Sequence, residues 1–501
     1  SVTHHPRRQD KLGPWHGPLK STHAAFCEDG VMHVLQAESK SKSTFCGPMG
    51  GGGVASEFDP LEIMGLAKDE VASNCFNPFQ PLQYETSIKE VSNQIYHPTS
   101  STGSSGPFSF TIPADPEKWT DCESIRLHGK MRIRKKTGAT IANLADTDKV
   151  APVDNIFQSL WSNVRVRLNG TEITDPTGRW YSYKSYLENK CSYSSKVKEV
   201  VLKSRGLAED TPGKFTTCDN TNKGWETRRK MFEKSKWNYF CINLHSDITT
   251  LRKFLPPNIK IEIEFERNSD EFCLMGTEAD NTTYVIEIED LRLSLKRYLP
   301  NEDVKRFYEA HIAKGHKARF TIDRSVIKTY TVKGGTTNLS HYGIISGNQL
   351  PDQTVIGMVK EESYNGKLTE NPYEFNHYNL TEASLVVNGR HEPPELYRMN
   401  KDIGDTADIY EHFLENTGIK TDDREFAVSK ESYLDGSFLL VWDRTPDKCN
   451  RYHRHQMGGG TLDTNINLKN SVDDTLTVIM YATYSTDLII DDRNNVIKML
   501  F

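Results

Sequence analysis

The sequence predicts an all-β protein built of antiparallel β-sandwiches. Three observations support this prediction: apolar and polar residues alternate with a period of two in many short stretches, two of these stretches stop at Asn-Gly, and no strand–helix–strand rhythm appears. Such alternation buries one face of a strand and leaves the other face in water. Long polar connections between the stretches favour sandwiches over a parallel α/β enzyme fold.

The clearest alternation lies in the first half of the chain. Ile125–Arg134 places apolar residues at its odd positions, apart from Gly129, and polar residues at its even positions. Val164–Leu168 alternates in the same way and stops at Asn169-Gly170, which can adopt the positive φ of a tight turn. Ile259–Glu266 repeats the pattern. A slip of phase at Glu289-Asp290 predicts a β-bulge.

A helix is predicted between two β-rich halves. Asn301 is a suitable N-cap for Glu302–Ala313, and Phe307, Tyr308 and His311 form a candidate inward-facing stripe. Strand patterns then resume. The candidates are Phe320–Val332, Thr354–Val359, Ser384–Val387 (which ends in Asn388-Gly389), Ser437–Trp442 and Leu476–Tyr484.

These patterns predict an N-terminal arm followed by two β domains. The arm spans residues 1–78 and is expected to be partly disordered, because it holds a run of four glycines and little alternation. The first domain spans 79–300 with a long insertion at 171–237, a linker helix spans 301–318, and the second domain spans 319–501 with an insertion at 391–433. The arm has a weak basic bias, so Arg7, Arg8 and Lys11 are candidate contacts with nucleic acid or internal proteins. A plain disordered terminus is the alternative.

Composition argues against several classes of protein. The net charge of −6 over 501 residues does not make the whole chain a nucleic-acid binder. No run of about 18 apolar residues predicts a membrane span, and the first residues lack the apolar segment of a secretory signal. The nine cysteines include no C-x-x-C pair, which favours free thiols in a reducing compartment.

The sequence offers little catalytic chemistry. It holds neither the nucleophile elbow of a hydrolase nor a phosphate-binding loop, so we expect no enzyme activity and no cofactor. The best metal candidates are Cys449, His453 and His455, which lack a fourth ligand, and a solvated basic loop is the alternative. Large apolar side chains are instead candidate core anchors: Phe157, Leu160, Trp161, Phe265 and Trp442. Basic residues on the polar strand faces are either DNA contacts or ordinary solvated positions: Arg126, Lys130, Arg132, Arg134, Arg165 and Arg167.

Several blocks, in consistent order, resemble the major capsid proteins of Polinton-type elements and adintoviruses. They include FQSLWSNVRVRLNG at Phe157–Gly170, DPTGRWYSYKSYLE at Asp175–Glu188 and LPPNIKIEIEFERNSDEFCLM at Leu255–Met275. The second half adds GNQLPDQTVIGMV at Gly347–Val359 and TVIMYATYSTDLIIDDRNNV at Thr477–Val496. The resemblance covers most of the chain after the arm.

This resemblance implies two tandem eight-stranded jelly rolls, similar to adenovirus hexon and virophage capsid proteins. Three chains would form a pseudo-hexagonal trimer, and trimers would tile an icosahedral shell around double-stranded DNA. The implied partners are other copies of the chain, penton proteins, minor or cement proteins and, through the arm, packaged DNA. The implied location is the virion, assembled in the nucleus or cytoplasm of a host cell. The two insertions would lie on the outer face of the shell or at the trimer interface.

Three other interpretations stay open at this point. A two-domain β-sandwich lectin could use the loop that holds Tyr181, Tyr183 and Tyr186 as an exposed aromatic surface. A β-sandwich hydrolase would need a carboxylate pair, and no convincing pair stands out. A capsid gene integrated into, or domesticated by, a host genome would have the same sequence features.

Overall fold

The computed structural model describes residues 25–28, 31–34, 85–99, 106–277, 282–418, 428–446, 448, 455, 457–491 and 493–498. The chain divides into two compact units, residues 1–85 and residues 86–501. In the first unit, Ala25–Glu28 pairs antiparallel with Val31–Val34. The predicted arm contacts Arg7, Arg8 and Lys11 lie outside the described residues.

Eight strands of the second unit form a first sandwich. Sheet I has the strand order β6-β3-β8-β1, sheet II has the order β2-β7-β4-β5, and every pairing is antiparallel. The strands are β1 (Ile88–Tyr96), β2 (Phe108–Ile112), β3 (Trp119–Thr137), β4 (Trp161–Leu168), β5 (Thr171–Glu172), β6 (Asn238–Asn243), β7 (Ile261–Arg267) and β8 (Thr282–Pro300). The short strand Thr140–Asn143 pairs with β3, and Val150–Pro152 pairs with Leu274–Gly276.

Eight further strands form a second sandwich. Sheet III has the order β14-β11-β16-β9, and sheet IV has the order β10-β15-β12-β13, again all antiparallel. The strands are β9 (Ala318–Val332), β10 (His341–Gly347), β11 (Gln353–Lys360), β12 (Leu380–Val387), β13 (Arg390–Arg398), β14 (Leu439–Asp443), β15 (Gly460–Leu468) and β16 (Leu476–Ile490). Val496–Lys498 pairs with β16.

The two sandwiches have the same topology. Each strand of the first corresponds to the strand numbered eight higher in the second, so sheet I corresponds to sheet III and sheet II to sheet IV. Eight antiparallel strands in two sheets with this crossed order form a jelly roll. The predicted fold class of two tandem eight-stranded jelly rolls is therefore confirmed.

Local signals in the sequence correspond to specific features of the strands. Asn169-Gly170 and Asn388-Gly389 form the two-residue turns at equivalent places, after β4 and after β12, and all four residues have positive φ. The register of β8 against β3 shifts between Glu289 and Arg292, where the predicted bulge lies. These signals were readable because turn and bulge geometry depends on a few adjacent residues.

All five predicted core anchors are buried, with at most 3% of each residue exposed: Phe157, Leu160, Trp161, Phe265 and Trp442. Trp161 contacts Phe265 edge-on, with ring centroids 5.1 Å apart. Phe157 stacks on Phe240 at 4.8 Å. Aromatic pairs of this geometry each stabilise a core by roughly 0.5–1.5 kcal/mol beyond the area that they bury.

Among the described residues, four helices are longer than two turns: α1 (Trp180–Ser192), α2 (Lys223–Met231), α3 (Glu302–Ala313) and α4 (Ala407–Asn416). Shorter helical segments are Ile156–Ser159, Ser195–Val197, Lys198–Leu202, Lys203–Arg205, Glu233–Ser235, Asp247–Thr250, Asp270–Cys273, Glu361–Asn365, Lys401–Ile403 and Lys430–Leu434. The Asn301 side chain accepts a hydrogen bond from the Val304 amide at 2.9 Å and caps α3 as expected. The inward stripe predicted for α3 is only partly present: Tyr308 packs edge-on against Trp119 with ring centroids 4.9 Å apart, but the helix fully buries none of its residues and Phe307 is 66% exposed.

The insertion expected at 391–433 begins later than the sequence suggested. Its first residues belong to strand β13, which pairs with β12 across the Asn388-Gly389 turn. β13 contains Pro393 and Pro394, and it is the edge strand of sheet IV, where a missing backbone N–H is tolerated. The connection between β13 and β14 therefore spans residues 399–438 and contains α4.

Candidate assembly site

Helix α1 lies between the two sandwiches. Ten of its thirteen residues are buried, which is the pattern of a helix covered on all sides. Trp180 Nε1 donates to the backbone oxygen of Ser325 on β9 at 3.1 Å, and the Tyr183 hydroxyl donates to the oxygen of Pro372 at 3.1 Å. The sequence had placed the insertion 171–237 on the outer face or at a subunit interface. For α1 this expectation is wrong, because its aromatic residues are buried between the two sandwiches.

An aromatic cluster joins α1 to the second sandwich. Tyr186 stacks on Tyr373 with ring centroids 4.1 Å apart, and Tyr183 meets Tyr373 edge-on at 5.7 Å and stacks on Tyr364 at 5.7 Å. The Tyr373 hydroxyl is 2.6 Å from Ser159 Oγ. Burial raises the pKa of Tyr183, Tyr186 and Tyr373, so these hydroxyls stay neutral. The cluster is a fixed internal contact between the two halves.

A group of charged and polar side chains crosses the same junction, and we call it the junction cluster: Lys184, Glu188, His245, Asp247, Ser325 and Tyr481. The side chains of Lys184 and Asp247 are buried, whereas those of Glu188 and His245 are 25% and 14% exposed. Lys184 Nζ is 3.1 Å from Asp247 Oδ1 and 2.7 Å from Glu188 Oε1. His245 Nδ1 is 2.7 Å from Glu188 Oε2. From the second sandwich, the Ser325 hydroxyl donates to Asp247 at 2.8 Å and the Tyr481 hydroxyl donates to Glu188 at 3.1 Å.

The charges of the junction cluster compensate one another. Burial alone would lower the pKa of Lys184, but Glu188, Tyr481 and Asp247 outweigh it and hold that pKa well above its ordinary value. Burial alone would raise the pKa of Glu188, but Lys184 and His245 hold it well below its ordinary value. Burial raises the pKa of Asp247, and Lys184 opposes this rise only in part. An ion pair in such a place is costly to break because the remaining charge is left without a partner.

A second polar contact ties the insertion of the first sandwich to the second sandwich. Asn371 Nδ2 donates to Asp210 Oδ2 and to the backbone oxygen of Phe215, both at 2.9 Å. Asp210 also pairs with Arg228 of α2 at 2.6 Å, and both side chains are buried. The position of the insertion relative to the second sandwich is thus fixed by directional bonds as well as by packing.

The buried tyrosines remove the basis of the lectin interpretation. Tyr181 and Tyr183 are fully buried and Tyr186 is 3% exposed, so they cannot form an exposed surface that stacks on sugars. The loop had looked like a recognition loop because it is polar and tyrosine-rich. In the structure those tyrosines are core residues of the junction.

The basic residues of the strand faces are mostly paired with acids on adjacent strands. On sheet I, Lys130 is 3.0 Å from both Glu289 and Asp290, and Arg132 is 2.6 Å from Glu287. Three further pairs have the same cross-strand arrangement: Arg134 with Glu287, Arg165 with Glu266 and Arg167 with Glu264. Pairing of this kind favours solvated strand faces over a DNA-binding surface.

Only one of the three metal candidates lies within the described residues. Cys449 and His453 lie outside the described residues, and His455 is half-buried. Among the described residues, no three His, Cys, Asp or Glu side chains are placed to hold a metal ion. No helix in the part of the chain that the structure describes is long and apolar enough to cross a membrane.

Comparison with known proteins finds likeness in structure. No protein-family model matches the chain, and no curated protein sequence matches it. A chain of the Sputnik virophage structure determined by cryo-EM is similar with a TM-score of 0.56 and 11% identity, over 87% of this chain and 93% of that one. PBCV-1 VP54 is similar with a TM-score of 0.52 and 9% identity, over 84% of this chain and 99% of that one. The Faustovirus major capsid protein is similar with a TM-score of 0.51 and 9% identity, over 85% of this chain and 95% of that one.

These likenesses extend over nearly the whole of each compared chain. The class that they and the repeated strand order define is the double jelly roll. It is the fold shared with the Faustovirus major capsid protein. At 9–11% identity, the likeness identifies the fold and leaves the function to be argued from the surfaces.

Proposed function

We propose that this chain is a major capsid protein whose role is to assemble with copies of itself into an icosahedral viral shell. The observation that carries the proposal is the junction between the sandwiches. Two jelly rolls of the same topology are held together by α1, an aromatic cluster and buried charges. The sequence contains neither a nucleophile elbow nor a phosphate-binding loop that would favour an enzyme instead. A chain whose most elaborate site is an internal contact is suited to a structural role.

The full proposal extends to the assembly. Three chains would form a trimer of six jelly rolls, and trimers would enclose double-stranded DNA within a virion assembled in the host cell. The similar proteins include one named as a major capsid protein, which supports the shell. The ordered sequence blocks at Phe157–Gly170 and Thr477–Val496 support a place among Polinton-type and adintovirus capsid proteins. Penton and cement proteins, and DNA contacts through the arm, complete the proposed set of partners.

Electron microscopy and light scattering on the purified protein test the proposal. We expect pseudo-hexagonal particles of about 171 kDa, three times the 57.0 kDa of one chain, or closed shells. A trimer interface should bury at least about 2,000 Å² and persist at low concentration. A protein that stays monomeric at high micromolar concentration would contradict the capsid proposal.

A further inference from the structure

The insertion of the first sandwich contains a cavity of about 490 Å³. Its walls come from the helical segments between residues 195 and 205, from the stretch 207–209 and from the start of α2. Three lysines from different segments line it: Lys198, Lys203 and Lys223. A cavity of this volume lies within the range of about 300–1,000 Å³ that is typical of small-molecule sites. We call it the lysine pocket.

Two buried lysines share a single carboxylate at the wall of the lysine pocket. Glu209 Oε1 is 3.0 Å from Lys198 Nζ and 3.2 Å from Lys190 Nζ. Each of the two lysine side chains is 4% exposed, and neither has another acidic partner within the part of the chain that the structure describes. Two cations against one anion leave one positive charge that the described residues do not balance, in a place that is shielded from water.

Burial makes this unbalanced charge costly. Burial lowers the pKa of Lys198, Glu209 opposes the fall only in part, and the neighbouring Lys190 adds to it. The Lys198 ammonium group donates to Glu209 and, at 3.1 Å, to the backbone oxygen of Lys190, which uses two of its three N–H groups. The third N–H has no partner among the described residues. An anion that enters the pocket would supply both the missing acceptor and the missing counter-charge.

The outer part of the lysine pocket adds charge of the same sign. Lys203 and Lys223 are exposed, and neither forms an ion pair with any residue that the structure describes. Besides Glu209, the acid that lines the pocket is Glu199. With Lys190 counted, four lysines meet two glutamates, so two positive charges are in excess. Lys223 is also the first residue of α2, and the N-terminal end of a helix carries a partial positive charge.

We propose that the lysine pocket binds a small anion with at least two phosphate or sulfate groups, which Lys198 contacts at the buried end and Lys203 and Lys223 contact at the rim. Two or more negative groups match the excess of two positive charges. Lysine is a compact point charge on a flexible stem, which suits the oxygens of such groups. The inference is independent of the proposed shell, because every residue that it uses lies within the insertion of one chain.

Isothermal titration calorimetry with two probes tests the site, and the probes are inorganic pyrophosphate and a disulfated disaccharide. Lys203→Glu and Lys223→Glu reverse charges on exposed side chains, so each should leave the fold intact and raise the dissociation constant of the probe by at least about tenfold. Lys236→Glu is the matched control, since it makes the same change at an exposed lysine of the insertion that does not line the pocket. At about 150 mM salt it should change the constant less than about twofold. The probe that binds more tightly distinguishes a phosphate source from a sulfated glycan.

The shared carboxylate gives a test of opposite sign. Glu209→Gln leaves two buried lysines without a counter-charge. The affinity for the tighter probe should therefore rise several-fold, and the probe should raise the melting temperature of this variant more than that of the wild-type protein. An unchanged or lower affinity would mean that the anion does not reach Lys198, and would overturn the proposal. Circular dichroism checks the fold of each variant, and the two rim variants leave the buried lysines unaltered.

The remaining outcomes also decide the matter. The absence of saturable binding for both probes at millimolar concentration overturns the proposal. Equal weakening in Lys203→Glu, Lys223→Glu and Lys236→Glu overturns it too, because it would show attraction to the net charge of the insertion and no defined site. Weakening in the two rim variants, with normal binding in Lys236→Glu and tighter binding in Glu209→Gln, supports the lysine pocket as the site.

Discussion

Removing the buried cation of the junction should destabilise the protein far more than its single charge suggests. In Lys184→Met the long apolar stem is kept and the ammonium group is lost. Asp247, whose side chain has 0% exposure, then keeps only the donors from Ser325 and has no counter-charge. Breaking a buried pair by removing one partner costs about 3–5 kcal/mol. That is a large share of the roughly 5–15 kcal/mol by which folded domains are stable.

The pKa of Asp247 predicts how the loss of stability in Lys184→Met depends on pH. Burial already raises the pKa of Asp247 in the wild-type protein, and loss of Lys184 removes the group that opposes the rise. The folded variant then binds a proton more tightly than the unfolded chain, whose aspartate has a pKa of about 3.9. Stability from such a group is present at low pH and is lost as pH rises through the folded-state pKa. The deficit of Lys184→Met should therefore be smaller at pH 5 than at pH 8.

Urea unfolding followed by tryptophan fluorescence, at one fixed protein concentration, measures the effect without the screening that guanidinium would add. Lys260→Met is the control, because Lys260 forms a half-exposed pair with Glu262 and should contribute less than about 1 kcal/mol. The double variant Lys184→Met, Asp247→Asn should recover stability, because the amide oxygen still accepts from Ser325 without a buried charge. A single variant as stable as the wild-type protein, or a deficit independent of pH, would refute this account of the junction.

Two further substitutions test the strand packing and the charged insertion. Gly357→Ala on β11 would place a methyl group against the buried ring of Phe375 and should cost about 1–3 kcal/mol in urea unfolding. Gly347→Ala on β10, with its nearest contact at 4.0 Å, should cost less. Burial opposes ionisation of Glu209, but Lys190 and Lys198 outweigh it and lower its pKa to about 2. The stability that Glu209 contributes is present above the unfolded pKa of about 4.3 and is lost as pH falls towards 2. Glu209→Gln should therefore reduce stability at pH 7 and flatten the acid limb of the curve of stability against pH. An unchanged acid limb in that variant would contradict the assigned pairs.

The sequence predicted features that depend on neighbouring residues. The alternation in Ile125–Arg134 identified a strand with its buried face, since side chains of a strand point to opposite sides by turns. The two Asn-Gly turns could be predicted for the same reason, because their geometry depends on two adjacent residues. Sequence blocks in common with capsid proteins supplied the arrangement of eight strands per sandwich, which alternation by itself does not specify.

The junction could not be predicted in this way. Asp247 meets Lys184 and Ser325 across 63 and 78 residues of sequence, and no period in the chain marks such a contact. Helix α1 hid its role for a related reason. Because it is covered on all sides, it shows no single apolar stripe, and its two lysines and its glutamate are typical of a helix on an exposed insertion. The pairing of Arg132 with Glu287 was hidden too, since it depends on which strands are neighbours.

The asymmetry between the two sandwiches has a consequence for assembly. Within one chain, an insertion of the first sandwich covers a sheet of the second, so the contact joins two different surfaces. A contact of this type is heterologous, because the two surfaces that meet are different. Repeating it between copies must produce either a closed ring or an open filament, depending on the rotation at each step. A ring of three chains, and so of six jelly rolls, closes when that rotation is one sixth of a turn.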